Sequence, residues 1–450
     1  MLVFIKNMAR LVGVESVMLR DIKNLLTLHN PLFGKKLDLN LSVVGIPKFL
    51  KYYRSISETS IEVPVGALPE ILKKFDKKDI EIIDSRVSNL QPDYFSSLKF
   101  TGKLRDYQED IIQACLPKTV GIVQAMTGSG KTIVFIALIM KRQEPTLILV
   151  NTLELANQTI SSFTKFTNIK AADIGFIGDG RFEIKPVTVG LHQTMAKLED
   201  NKFNLIDERF GQIIADEVHI CGAQTYYRTM THLSAKYKYG FSATPKRDDG
   251  LTEAIHFATG PTIHEVPKDK LTSVLITPSY KTIDTEYQYY LFNSQEYQEM
   301  ITDMAEDVKR NKLIVDTWKK NYKGRSTIIL CLRVAHLEIL HKMLPKESVM
   351  LHSKMKKKDR ASALEQIISG EKTIVLSTYG LFSTGIDVPR LEVLMLAAPM
   401  KSEVKLKQAA GRLMRMCKGK TSAEIVDFVD KNIDLLKFQY YKRGRILRAI

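Results

Sequence analysis

Apolar and polar positions alternate along most of this chain in blocks of two sizes. From Leu104 to about Gly260, short apolar runs are separated by longer stretches with helical spacing: Gly121-Ile-Val123, Thr146-Leu-Ile-Leu-Val150, Val187-Thr-Val189, Ile213-Ile-Ala215 and Tyr239-Gly-Phe241. Continuous apolar runs mark strands buried on both faces, and strands alternating with helices predict a parallel sheet covered on both sides. After about residue 275 the pattern repeats with Thr327-Ile-Ile-Leu330, Val349-Met-Leu351, Thr373-Ile-Val-Leu376, Val393-Leu-Met-Leu396 and Glu424-Ile-Val426. The chain therefore reads as α/β, with two parallel-sheet domains of similar size. Each run of the first series ends where a polar motif begins, which is where open α/β sheets place ligand-binding groups.

Residues 1–95 read differently. Turn signals at Asn30-Pro31, Gly34-Lys-Lys36, Gly45-Ile-Pro47 and Val63-Pro64 punctuate short apolar runs, which predicts a small mixed α/β unit. Leu68 to Phe75 has helical spacing, Ile80-Glu-Ile-Ile83 is strand-like, and Gln91-Pro92 marks the boundary. Phe49, Tyr52 and Tyr53 interleave with Lys48, Lys51 and Arg54. That composition suits a surface that stacks on bases and holds phosphates, and equally an amphipathic helix with a basic outer face. The organisation expected is an accessory domain at 1–95, a first sheet domain at 96–265 and a second at 270–450.

With 450 residues, 44% of them hydrophobic, the chain has enough apolar material for two or three cores. Its 66 Lys and Arg against 50 Asp and Glu leave a net charge of +16. Such an excess points to nucleic acid, an anionic membrane surface or simple solubility, and its spread along the chain excludes a single basic arm. Cys115, Cys221, Cys331 and Cys417 are too far apart for zinc spacing or a disulfide framework, so a reducing compartment is expected. Met1 to Lys6 is too short and too soon charged for a secretory signal, and no uncharged apolar stretch reaches the roughly 18 residues of a membrane span. A cytoplasmic protein with no membrane partner follows, in the host cytoplasm if a phage encodes it. A monomer is expected in the absence of heptads.

Two segments carry chemistry. In Ala125-Met-Thr127-Gly128-Ser129-Gly130-Lys131-Thr132, a Gly-rich turn between a buried strand and a helix points backbone N–H groups at a triphosphate. Lys131 would neutralise β and γ charge, and the Thr132 hydroxyl would ligate Mg²⁺. Far downstream, Gln408-Ala-Ala-Gly411-Arg412-Leu-Met-Arg415 supplies two arginines suited to a γ-phosphate, or simply a solvated basic helix. Asp216-Glu217-Val218-His219 follows the strand Ile213-Ile-Ala215. Its carboxylates could form a solvated turn; beside a phosphate loop, Asp216 suits Mg²⁺ and Glu217 suits activation of the attacking water. Arginines and a phosphate loop on separate domains suggest that hydrolysis opens and closes a cleft.

Taken in order, these motifs resemble those of the superfamily 2 helicases over about residues 100 to 430. Leu104-Arg105-Asp-Tyr107-Gln108 resembles the adenine-reading element, with Arg105 and Gln108 at the nucleotide. Asn151-Thr152 to Gln158, Gly178-Asp-Gly180 and Val189-Gly-Leu-His-Gln193 resemble strand-tracking motifs. Asp216 to His219 matches motif II and places the chain among the DExH proteins, and Ser242-Ala-Thr-Pro245 matches the motif that couples hydrolysis to domain movement. Leu351-His352-Ser353 with Arg360, Ser377-Thr378 with Gly385-Ile-Asp387, and Gln408 to Arg415 resemble the remaining motifs. The phosphate loop begins with Ala125 instead of Gly, a form this superfamily tolerates. The proline-containing element before the glutamine of DEAD-box proteins is missing, which argues against a dedicated RNA reading.

The resemblance implies two tandem RecA-like domains with ATP bound between them. Lys131, Asp216, Glu217, Arg412 and Arg415 are then catalytic, with Thr132 and Asp216 holding Mg²⁺. Thr127, Gly128, Ser129, Gly130, Gly385, Asp387 and Gln408 would help bind the nucleotide. Thr152, Gln193, His352, Ser353 and Thr378 would contact nucleic acid. His219 would touch the γ-phosphate or the domain boundary, or simply pack. Ala243-Thr-Pro-Lys-Arg247-Asp-Asp-Gly250 and the compact N-terminal unit are similar to the branch that includes UvsW and the XPB-type proteins, implying action on forked or branched DNA. RNA unwinding and an ATPase switch without unwinding are the alternatives. Two aromatic clusters stay open: Tyr287, Tyr289, Tyr290, Phe292 and Tyr297 could form a base-stacking pin or a core, and the basic tail from Tyr440 to Arg448 could touch duplex DNA or cap a helix.

Overall fold

The buried apolar runs become strands of two sheets. A computed structural model describes the whole chain except residues 220–222, 244–246, 248, 272–273, 291–295, 385–387 and 389. Cys221, Phe292, Thr244, Pro245, Gly385 and Asp387 thus lie outside the described residues. Met1–Met126 with Gly130–Pro267 make up one compact unit, and Lys268–Ile450 belong to another.

In the first unit, an eight-stranded sheet runs in the order Arg181–Glu183, Gly175–Gly178, Val187–Leu191, Thr146–Val150, Gln212–Asp216, Tyr237–Ser242, Val120–Gln124 and Thr262–Glu265. Neighbours pair in parallel except Arg181–Glu183, which returns antiparallel on Gly175–Gly178. Thr146–Val150 is buried at every position, as a strand covered on both faces must be. The second unit holds a wholly parallel six-stranded sheet, ordered Ser279–Asp284, Glu424–Val429, Val393–Leu396, Thr327–Cys331, Ile374–Thr378 and Ser348–Leu351. These are two RecA-like parallel sheets.

Residues 1–95 build a third sheet, ordered Arg54–Ser57, Ser60–Pro64, Met8–Val12, Leu2–Ile5 and Glu81–Asp84, antiparallel but for its last pair. Its core is continuous with the first RecA-like sheet: Val3, Leu11, Ile61 and Ile71 share one cluster with Ala254 and Phe257 of the helix Thr252–Thr259. Gly66 sits so close to that helix that a Cβ there would meet the Gly260 nitrogen and the Phe257 carbonyl oxygen at 2.5 Å.

The structure corrects three expectations. Phe49–Lys51 is a strand paired antiparallel with Thr27–His29, not part of an amphipathic helix. Tyr52 turns inward, 5% exposed, with its ring edge-on to Tyr227 at 4.9 Å, so it cannot stack on a base. The helix after Leu68 stops at Leu72 instead of reaching Phe75. Among the open aromatics, Tyr287 is core, donating its hydroxyl to Asp303 at 2.6 Å, while Tyr290 is exposed. The basic tail is the helix Asp434–Arg448, and its Arg443 is buried against Asp427 and unavailable to DNA. Cys115 and Cys331 are buried free thiols. Among the described residues no helix is long and apolar enough to cross a membrane.

Candidate nucleotide and nucleic-acid site

The phosphate loop leaves the sheet at Gln124 and enters the helix Lys131–Arg142. Its turn needs left-handed backbone at Gly128 (φ 92°) and Gly130 (φ 80°), which explains two of its glycines. Thr127 and Ser129 lie in the turn, and Thr132 follows Lys131 in the first turn of the helix. Lys131 is buried, with Nζ donating to the Ala125 carbonyl at 3.2 Å and lying 2.9 Å from Glu217 Oε1.

Glu217 reaches that position through a left-handed backbone (φ 49°) just past the strand Gln212–Asp216. A non-glycine residue held there stores strain, a feature that concentrates at functional sites. Three contacts hold the turn. The Glu217 N–H donates to Asp216 Oδ1 at 3.0 Å, Asn151 Nδ2 donates to the Glu217 carbonyl at 3.3 Å, and His219 Nδ1 meets Ser242 Oγ at 2.6 Å. Arg247 Nη1 donates to the His219 carbonyl at 3.0 Å and pairs with Asp249. Asp216 is almost wholly buried. Burial first, then the charge of Glu217, pushes its carboxyl well above the usual carboxylate range, and Lys131 only partly offsets this. A buried pair of carboxylates in excess over its one lysine fits a divalent cation. Among the described residues no group of three or more His, Cys, Asp or Glu is placed to hold a metal without help from a ligand or water.

Gln108 lies beside this loop. Its Oε1 accepts the Arg105 N–H at 3.0 Å, and its Nε2 would stand 2.6 Å from a Cβ at Gly130. The fold thus brings Arg105, Gln108, Gly130, Lys131, Asp216 and Glu217 together.

The strand-tracking candidates are more dispersed. Thr152 Oγ1 accepts the Leu155 N–H at 3.2 Å and so caps the helix Leu153–Phe166, while Gln193 is exposed. His192, next to Gln193, is fully buried, and burial pushes its pKa down to about 3, so it stays neutral. In the second unit, His352 and Ser353 follow the strand Ser348–Leu351, and Thr378 ends the strand Ile374–Thr378. Gln408 and Arg412 lie one helical turn apart on Glu403–Leu413. Arg415 falls just beyond that helix, where it bridges Leu275 and its carbonyl accepts Lys420 Nζ at 2.9 Å. Asn151, Ser242 and Arg247 were visible within motifs, but nothing in their residue types foretold that they brace the motif II turn.

The fold defines a protein of two RecA-like sheets, and the comparisons place it. The family "Type III restriction enzyme, res subunit" matches residues 101–247, and "Helicase conserved C-terminal domain" matches residues 308–417. The chain belongs to the superfamily 2 helicases, which are ATP-dependent enzymes. It is similar to the "Putative ATP-dependent RNA helicase L396" of Acanthamoeba polyphaga mimivirus, 29% identical across 82% of this chain and 72% of that protein. It is also similar to the "DNA 3'-5' translocase XPB2" of Sulfurisphaera tokodaii, 25% identical across 80% of this chain and 89% of that one. Among solved structures, Saccharomyces cerevisiae Dbp5 bound to RNA and ADP BeF3 shares the fold with a TM-score of 0.57, at 17% identity over 77% of this chain and 88% of that one.

Proposed function

We propose that this protein is an ATP-dependent DNA helicase or translocase that remodels forked or branched DNA in replication, recombination or repair. The observation that carries the reading is Lys131 held 2.9 Å from Glu217 at the ends of two strands of one parallel sheet, with Asp216 buried alongside. Lys131 and the loop amides would hold the phosphates, and Glu217 would orient and deprotonate the attacking water. A divalent cation held by Thr132 and Asp216 would supply charge neutralisation at the phosphates. Arg412 and Arg415 would counter the charge that develops on the γ-phosphate. Arg105 and Gln108 would read the base, and Gly385, Asp387 and Gln408 would complete nucleotide binding.

A nucleic-acid track is supported by the +16 charge, and DNA by the similarity to XPB2 along nearly the whole of that protein. RNA is the second reading, favoured by the similarity to L396. Thr152, Gln193, His352, Ser353 and Thr378 would follow phosphates without reading sequence. We divide the chain into an accessory domain at 1–95, which selects branched substrates, and motor domains at 96–265 and 270–450, working as a monomer.

Steady-state ATP hydrolysis with single-stranded DNA, duplex, fork, four-way junction and matched RNA, read alongside strand displacement, tests this. The expected result is strongest stimulation and displacement with forked DNA and junctions, abolished by Glu217→Gln. Stronger stimulation by RNA would overturn the substrate, and turnover without displacement on any substrate would leave a translocase or switch.

A further inference from the structure

A cavity of about 200 Å³ opens in the second unit where the C-terminal helix Asp434–Arg448 lies against Met400, Lys401 and Leu406. Its wall is apolar, with Leu406, Leu435 and Ile446 at its base, and Phe438 lines it while 68% exposed. Tyr441, 59% exposed, lies three positions further along the same helix, so the mouth adjoins an exposed aromatic face.

The charge around this cavity has one sign. Lys401, Lys442 and Arg443 line it and no carboxylate does. Lys401 lies over the Tyr297 ring at 3.5 Å, has no ion-pair partner among the described residues, and is driven below the ordinary lysine pKa by burial. Arg443 gives Nε and Nη2 to Asp427 and leaves Nη1 buried without an acceptor. Arg443 is already neutralised by Asp427, so the charge left at the pit is that of Lys401 and Lys442, and lysines beside an apolar pit are complementary to a ligand that brings carboxylates with an apolar group.

The size of the pit narrows the choice. It is smaller than the roughly 300–1,000 Å³ of a small-molecule site and suits one anchor side chain of a partner. A nucleic-acid strand would need a groove that tracks successive phosphates and bases, and this cavity is a single short pit.

We propose that this cavity docks an acidic segment of a partner protein, with one large apolar side chain in the pit and flanking carboxylates against Lys401 and Lys442. None of the residues that line the cavity is assigned to the nucleotide, so a partner held there would recruit the protein without supplying a group to its chemistry.

Fluorescence anisotropy of a labelled peptide, Asp-Glu-Leu-Phe-Asp-Glu with blocked ends, titrated with the full chain tests this. Lys442→Glu and Phe438→Ala change exposed residues and should each weaken binding at least about tenfold, with DNA-stimulated ATP hydrolysis unchanged. The same peptide with Asn and Gln replacing its acids should not bind. Equal binding of that neutral peptide, no effect of either substitution, no binding of the acidic peptide, or its displacement by a thymidine oligomer in equal measure would each overturn the proposal. The last outcome would hand the cavity to nucleic acid.

Discussion

Both parallel sheets carry charge in their interiors, and they treat it in opposite ways. In the second sheet two buried arginines each close on one carboxylate. Arg310 grips Asp430 at 2.8 and 3.1 Å, with its remaining nitrogen donating to the Ala397 carbonyl. Arg443 grips Asp427 at 2.8 and 2.7 Å, with the Tyr280 hydroxyl donating to the same carboxylate. Two-point guanidinium–carboxylate contacts of this kind fix geometry and leave no net charge. In the first sheet, Asp216 and Glu217 lie beside Lys131, and Asp216 has its carboxyl held up by burial and by its neighbour's charge. Buried charge by itself therefore does not distinguish scaffold from site here. Under the proposed function, a carboxylate pair that a cation and a substrate would answer does.

The largest expected effect tests that distinction directly. Glu217→Gln should lower ATP hydrolysis by about 10² to 10⁴-fold, the usual contribution of a general base. Its stability should stay within about 1 kcal/mol of the parent, because Asp216 remains to offset Lys131 and a like-charge contact is gone. Hydrolysis rates and denaturant melts on one preparation check both halves. A variant that loses several kcal/mol would show that the motif II charges are scaffold after all.

On the other side of the comparison, Arg443→Met should destabilise by about 3 to 5 kcal/mol, because it leaves the Asp427 charge in the core with only the Tyr280 hydroxyl to answer it. Adding Asp427→Leu should restore much of that loss, since replacing a whole buried pair with apolar groups is often neutral. Denaturant unfolding of the single and double variants settles it. An equally unstable double variant would mean that the pair does more than balance charge.

How much of this contrast could be read from sequence depends on how far apart the partners lie. Thr146–Val150 and Val393–Leu396 coincide with their apolar runs residue for residue, because strands covered on both faces write their burial into a short contiguous window. Lys131, Asp216 and Glu217 were legible for a similar reason, each sitting in a local motif at a strand end. Ser279–Asp284 had no such signal. It is an edge strand with mostly exposed positions, visible only through its pairing with Glu424–Val429. In the N-terminal sheet the strand Glu81–Asp84 was foreseen at Ile80-Glu-Ile-Ile83, but its pairing was illegible because it joins Leu2–Ile5 across most of the segment. The pairing of Phe49–Lys51 with Thr27–His29 likewise overrode a helix-like mixture of aromatic and basic residues. Arg443 looked like part of a basic tail because nothing near it in sequence names Asp427.

The smallest effect concerns a buried charge that fits neither class. Lys238 lies in the strand Tyr237–Ser242, 1% exposed, with Nζ donating to the Met230 carbonyl at 2.7 Å. Burial, with help from Arg86, pushes its pKa from 10.5 down to about 7. In the unfolded chain this lysine keeps its proton up to its ordinary value, whereas in the folded protein it gives the proton up above about 7. Between those limits the unfolded state binds more protons, so the folded state gains stability from this group as pH rises, and the full penalty is present below about pH 7. Lys238→Met removes the penalty while keeping most of the side chain's volume. It should therefore be more stable than the parent near neutral pH, and its advantage should shrink steadily as the solution is made alkaline. Urea unfolding of both proteins across that range reads the difference. A stability gap that does not change with pH would mean that Lys238 is held charged throughout, and its carbonyl contact would then have to count as a satisfied pairing like those of the second sheet.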